Sequence, residues 1–293
     1  MRATVGRLLP IIRLTAADAS RSPLYLVVWL LALLAAGALP LLDYLALHEK
    51  RRLVVDSLQA LALTGGSLLG MMLAVDSVGG EVRRGTLALL RARGAEPTLW
   101  LAGKLLGLAL ALLPFAVSLG LALVWGSRVA AHPYHNDVVA SRGWWLALAT
   151  AVGLWAASGG RLRLAWVVPL ALLAAFVSLR GGWATEDLAC VPAAVRSGCG
   201  MVLAAWVAAV LALACEPVVA LWLAVVAFAL GVAADGWLTG AARLVWLAGP
   251  SWSLFAQTEA GWSATARAAG YLVAYGLALL AVGSGLRGVR EPR

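Results

Sequence analysis

The sequence predicts an all-α, polytopic transmembrane helical bundle of six to eight spans with cytoplasmic N- and C-termini. Three observations carry that reading. Of the 293 residues, 62% are hydrophobic and 13% charged, whereas soluble domains stand near half apolar and a quarter charged. Uncharged apolar runs near the ~20 residues that cross ~30 Å of hydrocarbon recur along the chain. Lys and Arg gather between and beside those runs. The net charge of +9, from 23 Lys+Arg against 14 Asp+Glu, would suggest nucleic acid in a soluble protein. Here topology and anionic lipid account for it, and no nucleic-acid partner is expected.

Residues 1–22 do not read as a signal peptide. The apolar core Leu8–Ile12 is short, Arg13 interrupts it, and no cleavage site follows. Arg2, Arg7, Arg13 and Arg21 alternate with Leu8, Leu9, Ile11, Ile12 and Leu14. That alternation suits an amphipathic interfacial helix in the headgroup layer, bent near Pro10, with its arginines toward lipid phosphate. Residues 23–293 then form a single transmembrane domain. Its candidate spans are Leu24–Leu42, Ser57–Val75, Leu101–Trp125, Trp144–Ser158, Leu164–Leu179, Met201–Ala214, Pro217–Ala234 and Ala269–Leu286. Gly159-Gly160-Arg161-Leu162-Arg163 reads as a hairpin turn. Cys215-Glu216-Pro217 splits Met201–Ala234 into a hairpin or one long kinked helix. Proline favours the break, because it restricts the residue before it and lacks an amide hydrogen.

Orientation follows from the loop cations. With the N-terminus inside, 14 of the Lys and Arg residues lie inside and 9 outside, so the cytoplasmic placement is the better one. Eight crossings put the C-terminal Arg287, Arg290 and Arg293 inside as well. A six-crossing variant, with Met201–Ala234 only partly inserted, gives the same sidedness.

The most charged stretch lies between the second and third spans, at about residues 79–97. Glu81 to Arg93 reads as a helix, with Gly79-Gly80 breaking the chain before it and Gly94 placed to end it. Val82, Thr86, Leu89 and Leu90 share one side, and Arg84 and Arg91 lie a heptad apart on another. Pro97 opens the next helix at its first turn, where no amide is wasted. Lys104 follows about two turns later, where a cytosolic lysine can snorkel to the interface.

Residues 235–268 are too rich in Trp and Leu for a solvated loop. Trp237, Trp246, Trp252 and Trp262 stand among only four charges, Asp235, Arg243, Glu259 and Arg267. Leu244–Thr258 is too short to span, and Gly249-Pro250 interrupts it. The expectation is two short helices dipping into the outer leaflet, with Gly249-Pro250 as their turn and the indoles at headgroup level.

Other constellations carry less. His132 and His135 have metal-like spacing, but in a Pro-containing loop they read as surface residues, so no metal is assigned. Cys190 and Cys199 share a loop on the outside, where a disulfide is allowed. No Ser-His-Asp set and no carboxylate pair within a span is present, and Asp76 and Glu216 sit only at span ends. An ion-driven transporter would need a charge within the bilayer.

The stretch Glu81, Gly85-Thr86, Leu89-Leu90, Pro97 and Gly103-Lys104 resembles, in order and spacing, the linker of the permease subunits of ABC-2-type ATP-binding-cassette exporters. Gly249-Pro250-Ser251-Trp252, one last span and an arginine-containing tail are similar to that family's end, as is Arg21-Ser22 before the first span. The extra apolar length at Met201–Ala234 departs from its six-span members. The resemblance implies that the linker is a coupling helix seated in a groove of a separate ABC ATPase subunit. Carried over, its contact residues are Glu81, Arg83, Arg84, Gly85, Thr86, Leu89, Leu90, Arg91, Pro97 and Lys104. It further implies a second permease copy forming the substrate path, an exterior gate at about 235–268 with Gly249, Pro250 and Trp252, and the bacterial cytoplasmic (inner) membrane as location. The chain needs no cofactor of its own, because ATP and Mg are bound by the partner. Gly103-Lys104-Leu105 does not complete a phosphate-binding loop, so no ATPase activity is expected here. The competing reading is a non-transporting membrane enzyme or an assembly scaffold of a larger complex.

Overall fold

The helix that the rest surrounds is rich in small residues. It is α7, Val191–Ala214, whose buried side includes Ser197, Gly200, Ala204, Ala205, Ala208, Ala209 and Ala212. Small residues let helix backbones approach closely, which is how helices associate where lipid is as apolar as the side chains. The computed structural model describes residues 2–41, 49–85, 96–131, 136–158, 164–178, 188–237, 250, 252–257 and 261–286, and among them every regular element is helical.

The others follow in chain order. Helix α1 is Arg2–Arg21, and α2 is Pro23–Ala38, closed by a 3₁₀ turn at Leu39–Leu41. Helix α3 is Lys50–Ala74, prolonged by a π turn at Val75–Gly79 and a last turn at Gly80–Arg83. Then come α4 (Pro97–Val129), α5 (Val138–Ala157), α6 (Leu164–Ser178), α7, α8 (Pro217–Trp237), the short α9 (Ser253–Ala256) and α10 (Trp262–Leu286).

Among the described residues six helices are long and apolar enough to cross a membrane: Pro23–Leu41, Lys50–Arg83, Pro97–Val129, Val138–Ala157, Val191–Ala214 and Trp262–Leu286. Trp166–Val177 and Pro217–Ala233 are shorter apolar helices. The chain is thus an integral membrane protein. The described residues of the eight expected runs lie mostly in helices, and Cys215-Glu216-Pro217 is a break. Cys215 is extended, and Pro217 opens α8.

Helix α7 packs against α3, α4, α8, α9 and α10. It runs alongside α3, with Gly66 against Met201 and Gly70 against Ala205, and counter to α4, with Gly120 against Ala194. The indole of Trp206 donates to Leu105 O at 2.8 Å, and Gly276 of α10 takes the same ring against its backbone. The Arg83 end of α3 therefore lies beside the C-terminal end of α7, where Gly79 meets Pro217 and Ala212. At the opposite end, called the Lys50 end, α3 meets the C-terminal part of α4 through Leu58 and Gly126.

Several expectations are corrected. Helix α7 begins at Val191, ten residues before the expected Met201, so Arg196 is a buried helix residue rather than a loop cation. For the same reason Cys190 and Cys199 do not share a loop. Eight helical residues lie between them, which sets them about 13 Å apart, beyond disulfide reach, and none of the three cysteines is in a disulfide. Gly79-Gly80 does not break the chain, because both lie within the continuous helical run that the π turn carries to Arg83. Helix α1 contains Pro10 and is not a lone helix. It packs lengthwise on α4 in the same direction, with Ile11 against Gly103 and Thr15 against Gly107. The expected turn at 159–163 lies outside the described residues.

Candidate functional site

At the Arg83 end a carboxylate of α3 is held by two side chains of α4. The π turn and the final turn of α3 carry Glu81 to the Arg83 end of the helix. Pro97 at the first turn of α4 places Trp100 and Lys104, four residues apart, on one face. Lys104 Nζ donates to Glu81 Oε1 at 2.5 Å. The Trp100 indole N–H donates to Glu81 Oε2 at 3.1 Å, so each carboxylate oxygen has a partner. The ammonium also sits 5.9 Å from the centroid of the Trp100 ring. Lys104 does not snorkel outward: its side chain is 6% exposed, that of Glu81 23%. In such surroundings an ion pair interacts much more strongly than on an open surface.

Beyond Glu81 the chain turns outward. Arg83 and Arg84 are exposed. Arg84 is the last residue with helical angles, and Gly85 follows at φ +68. A residue with a Cβ is strained in that left-handed conformation, so Gly85 stops the helix. Among the described residues no side chain stands within 4 Å of where its Cβ would be. The expected single helix from Glu81 to Arg93 is thus corrected at its start: the helix containing Glu81 is the tail of α3 and ends before Gly85. Thr86, Leu89, Leu90 and Arg91 lie outside the described residues. Of the expected contact residues, Glu81 and Lys104 are brought together, Arg83 and Arg84 face outward, and Pro97 is half-buried at the start of α4.

Trp100 escaped the sequence reading. The available signal was its i, i+4 spacing to Lys104, which puts an indole donor beside the lysine.

The Lys50 end holds a second polar site, within the expected gate region. Arg196, wholly buried, donates through Nη2 to Gln257 O at 2.5 Å and through Nη1 to Thr265 Oγ1 at 3.0 Å and Gly261 O at 3.4 Å. Thr265 Oγ1 in turn donates to Pro192 O at 3.1 Å. Gln59 Nε2 of α3 donates to Phe255 O at 3.4 Å and Gln257 O at 3.1 Å. Two long helices, α3 through Gln59 and α7 through Arg196, thus hold the backbone around α9, and Thr265 of α10 fixes the arginine. Pro250 is buried, and Trp252 packs edge-on to Phe228 with ring centroids 4.8 Å apart. The Trp252 indole is therefore packed inside the protein, whereas Trp262 is exposed. One short helix of the expected pair is present as α9; Gly249 and residues 238–248 lie outside the described residues. A bare helical face for Arg196 was not legible, because its acceptors are carbonyls of a segment about sixty residues later.

Asp137 caps the start of α5 at the same end. Its Oδ1 accepts from the amides of Val139 and Ala140 at 2.9 and 3.0 Å, and Oδ2 accepts from Arg128 Nε at 3.3 Å. Burial pulls its carboxyl upward, but the Ala140 amide, Arg128 and the Val139 amide outweigh that and hold it below its ordinary value.

Among the described residues no group of three or more His, Cys, Asp or Glu could hold a metal. His132 and His135 lie outside them. No protein-family model matches the chain, and no curated protein or solved structure shows similarity to it.

Proposed function

We propose that this chain is the permease subunit of an ABC-2-type exporter, with its Arg83 end seated on a separate ABC ATPase subunit. The observation that carries the reading is the brace of Glu81 on Lys104 and Trp100 beside the exposed pair Arg83 and Arg84. A partner that grips the arginines pulls on Glu81 one turn away. The brace passes that displacement to α4, and the Gly79–Pro217 contact passes it to the α7–α8 hairpin. Packed interiors shift as units rather than deform, so motion at this end reaches the Lys50 end through α3 and α7.

In this reading the N- and C-termini are cytoplasmic, the membrane is the bacterial inner membrane, and two copies form the substrate path along their interface. ATP and Mg belong to the ATPase. The Arg196-bound segment around α9 is the exterior gate.

The test is co-purification of this chain with a separate ABC ATPase subunit, in wild type, Arg84→Glu and Gly85→Trp. Charge reversal removes electrostatic matching and Trp blocks close approach. Because Gly85 is left-handed, Gly85→Asn, which tolerates that conformation, separates lost docking from a disturbed helix end. We expect Arg84→Glu and Gly85→Trp to release the ATPase and Gly85→Asn to retain it. Undiminished co-purification of both disruptive variants sinks the docking assignment.

A further inference from the structure

Helix α1 carries three stripes. Ile11, Thr15 and Ala19 face the bundle, with Ile11 and Thr15 against α4. Leu14, Asp18 and Arg21 are exposed on a second side. The third stripe, Arg13, Ala16, Ala17 and Ser20 at i, i+3, i+4 and i+7, borders a cleft of about 340 Å³. Its other walls are Leu110, Ala111 and Pro114 of α4 and Trp166 of α6. The small residues of α1 leave the cleft open, and the large ones across it make it apolar.

The cleft has a direction. Arg13 lies between Ile11, which meets Gly103, and Thr15, which meets Gly107. It therefore stands at the level of Lys104, the last charge of α4 before the uncharged run Leu105 to Ser127. Ser20 and Pro114 mark the opposite end, within that apolar run. The Ser20 hydroxyl donates to Ala17 O at 3.1 Å and so is already satisfied. No carboxylate pairs with Arg13 among the described residues. One cation at the polar end and a hydrocarbon wall at the other is the complement of a single class of molecule.

We propose that this cleft binds an anionic amphiphile, with Arg13 taking the phosphate or carboxylate headgroup and the chain lying along Leu110, Ala111, Pro114 and Trp166. A volume of about 340 Å³ is at the small end of ligand pockets. It accommodates a headgroup and part of one chain, with the remainder in the surrounding lipid. The site does not depend on the exporter reading. A phospholipid and a single-chain acid share the recognising chemistry, and the experiment separates them.

The full-length protein is reconstituted in phosphatidylcholine vesicles carrying a spin-labelled probe, and the motionally restricted fraction is measured. Three probes are compared: phosphatidylglycerol, stearate and phosphatidylcholine. An anionic probe is expected to be retained about fivefold over the zwitterionic one, the preference that one arginine confers near a membrane surface. Arg13→Gln removes the charge, and Ala17→Leu fills the cleft while leaving the charge in place. Each is expected to abolish the preference. Ser20→Leu fills the same stripe if Ala17→Leu fails to fold, as judged by circular dichroism. Preference for phosphatidylglycerol identifies a two-chain phospholipid as occupant, and preference for stearate a single-chain acid. Equal retention of all three probes overturns the site. So does a preference that Arg13→Gln leaves intact, or one that both filled variants preserve, since the charge would then act from the open surface.

Discussion

Arg196 Nη1 lies 3.0 Å from the hydroxyl of Thr265, so a cation within α7 is fixed by the first turns of α10, with the backbone around α9 caught between them. Hydrogen bonds to charged groups contribute about 1.5–3 kcal/mol each. Arg196→Met retains much of the bulk but none of these bonds. We expect amide hydrogen exchange at residues 252–257 to accelerate by at least about tenfold, the factor equivalent to about 1.4 kcal/mol, with little change at the Arg83 end. Unchanged exchange at 252–257 would show that Gln59 and the Trp252 contacts hold the segment alone.

The Glu81–Lys104 pair gives an asymmetric expectation. Lys104→Met removes the more deeply buried charge and leaves a carboxylate that still has the Trp100 indole. Glu81→Leu leaves a buried ammonium with only a ring face nearby. Breaking a buried pair from one side costs roughly 3–5 kcal/mol; with Glu81 partly exposed, the low end applies. Thermal melting in detergent should rank wild type above Lys104→Met, and Lys104→Met above Glu81→Leu. The double variant is expected to melt above Glu81→Leu alone, and if it melts lower the pair is not the unit that matters.

Two glycines distinguish packing from propensity. A Cβ at Gly231 would run into Cδ1 of the buried Trp252 ring, whereas at Gly65 no described residue lies within 4 Å. Gly231→Ala should destabilise by about 1–3 kcal/mol through overpacking. Gly65→Ala should be neutral or stabilise by up to about 1 kcal/mol, because Ala is the better helix former. Paired melting curves check both directions, and equal shifts in the two variants would contradict the packing around Trp252.

The Asp137 carboxyl, held below its ordinary value, stabilises the folded state above its unfolded pKa. That contribution is lost as pH falls through the lower folded value. Asp137→Asn should therefore melt below wild type at neutral pH, with the gap closing as the medium is acidified through the carboxylate range. Helix caps of this kind contribute about 0.5–2 kcal/mol. A gap that does not vary with pH would assign the effect to geometry rather than charge.

Which parts of this molecule were readable from sequence depends on how local the signals are. The apolar runs are local, and their described residues lie mostly in helices. The hairpin at Cys215-Glu216-Pro217 was legible because a proline acts on its immediate neighbours. The start of α7 was not, because Arg196 looks like the edge of a span until carbonyls of Gln257 and Gly261 arrive to solvate it. The Lys104–Glu81 brace was half legible. Both residues stood out, but their pairing needs the π turn, which adjacent glycines disguise as a break. The burial of α1 on α4 depends on Gly103 and Gly107 facing it, a match between two distant small-residue patterns that neither segment displays by itself.

The π turn at Val75–Gly79 makes the Arg83 end sensitive to chain length by a single residue. Such a turn is equivalent to one residue inserted into an α-helix. Deleting Ser77 would restore regular α geometry without disturbing the apolar levels from Lys50 to Ala74. Everything after it would rotate by about 100° and retract by about 1.5 Å. Glu81 would then point away from Lys104, and Arg83 and Arg84 would face a different azimuth. The angular aim of the two arginines is thus set by an added residue upstream rather than by the arginines' own neighbours. Homologous chains that vary in length here must either keep the extra residue or re-aim the charges through a compensating change between Gly85 and Pro97.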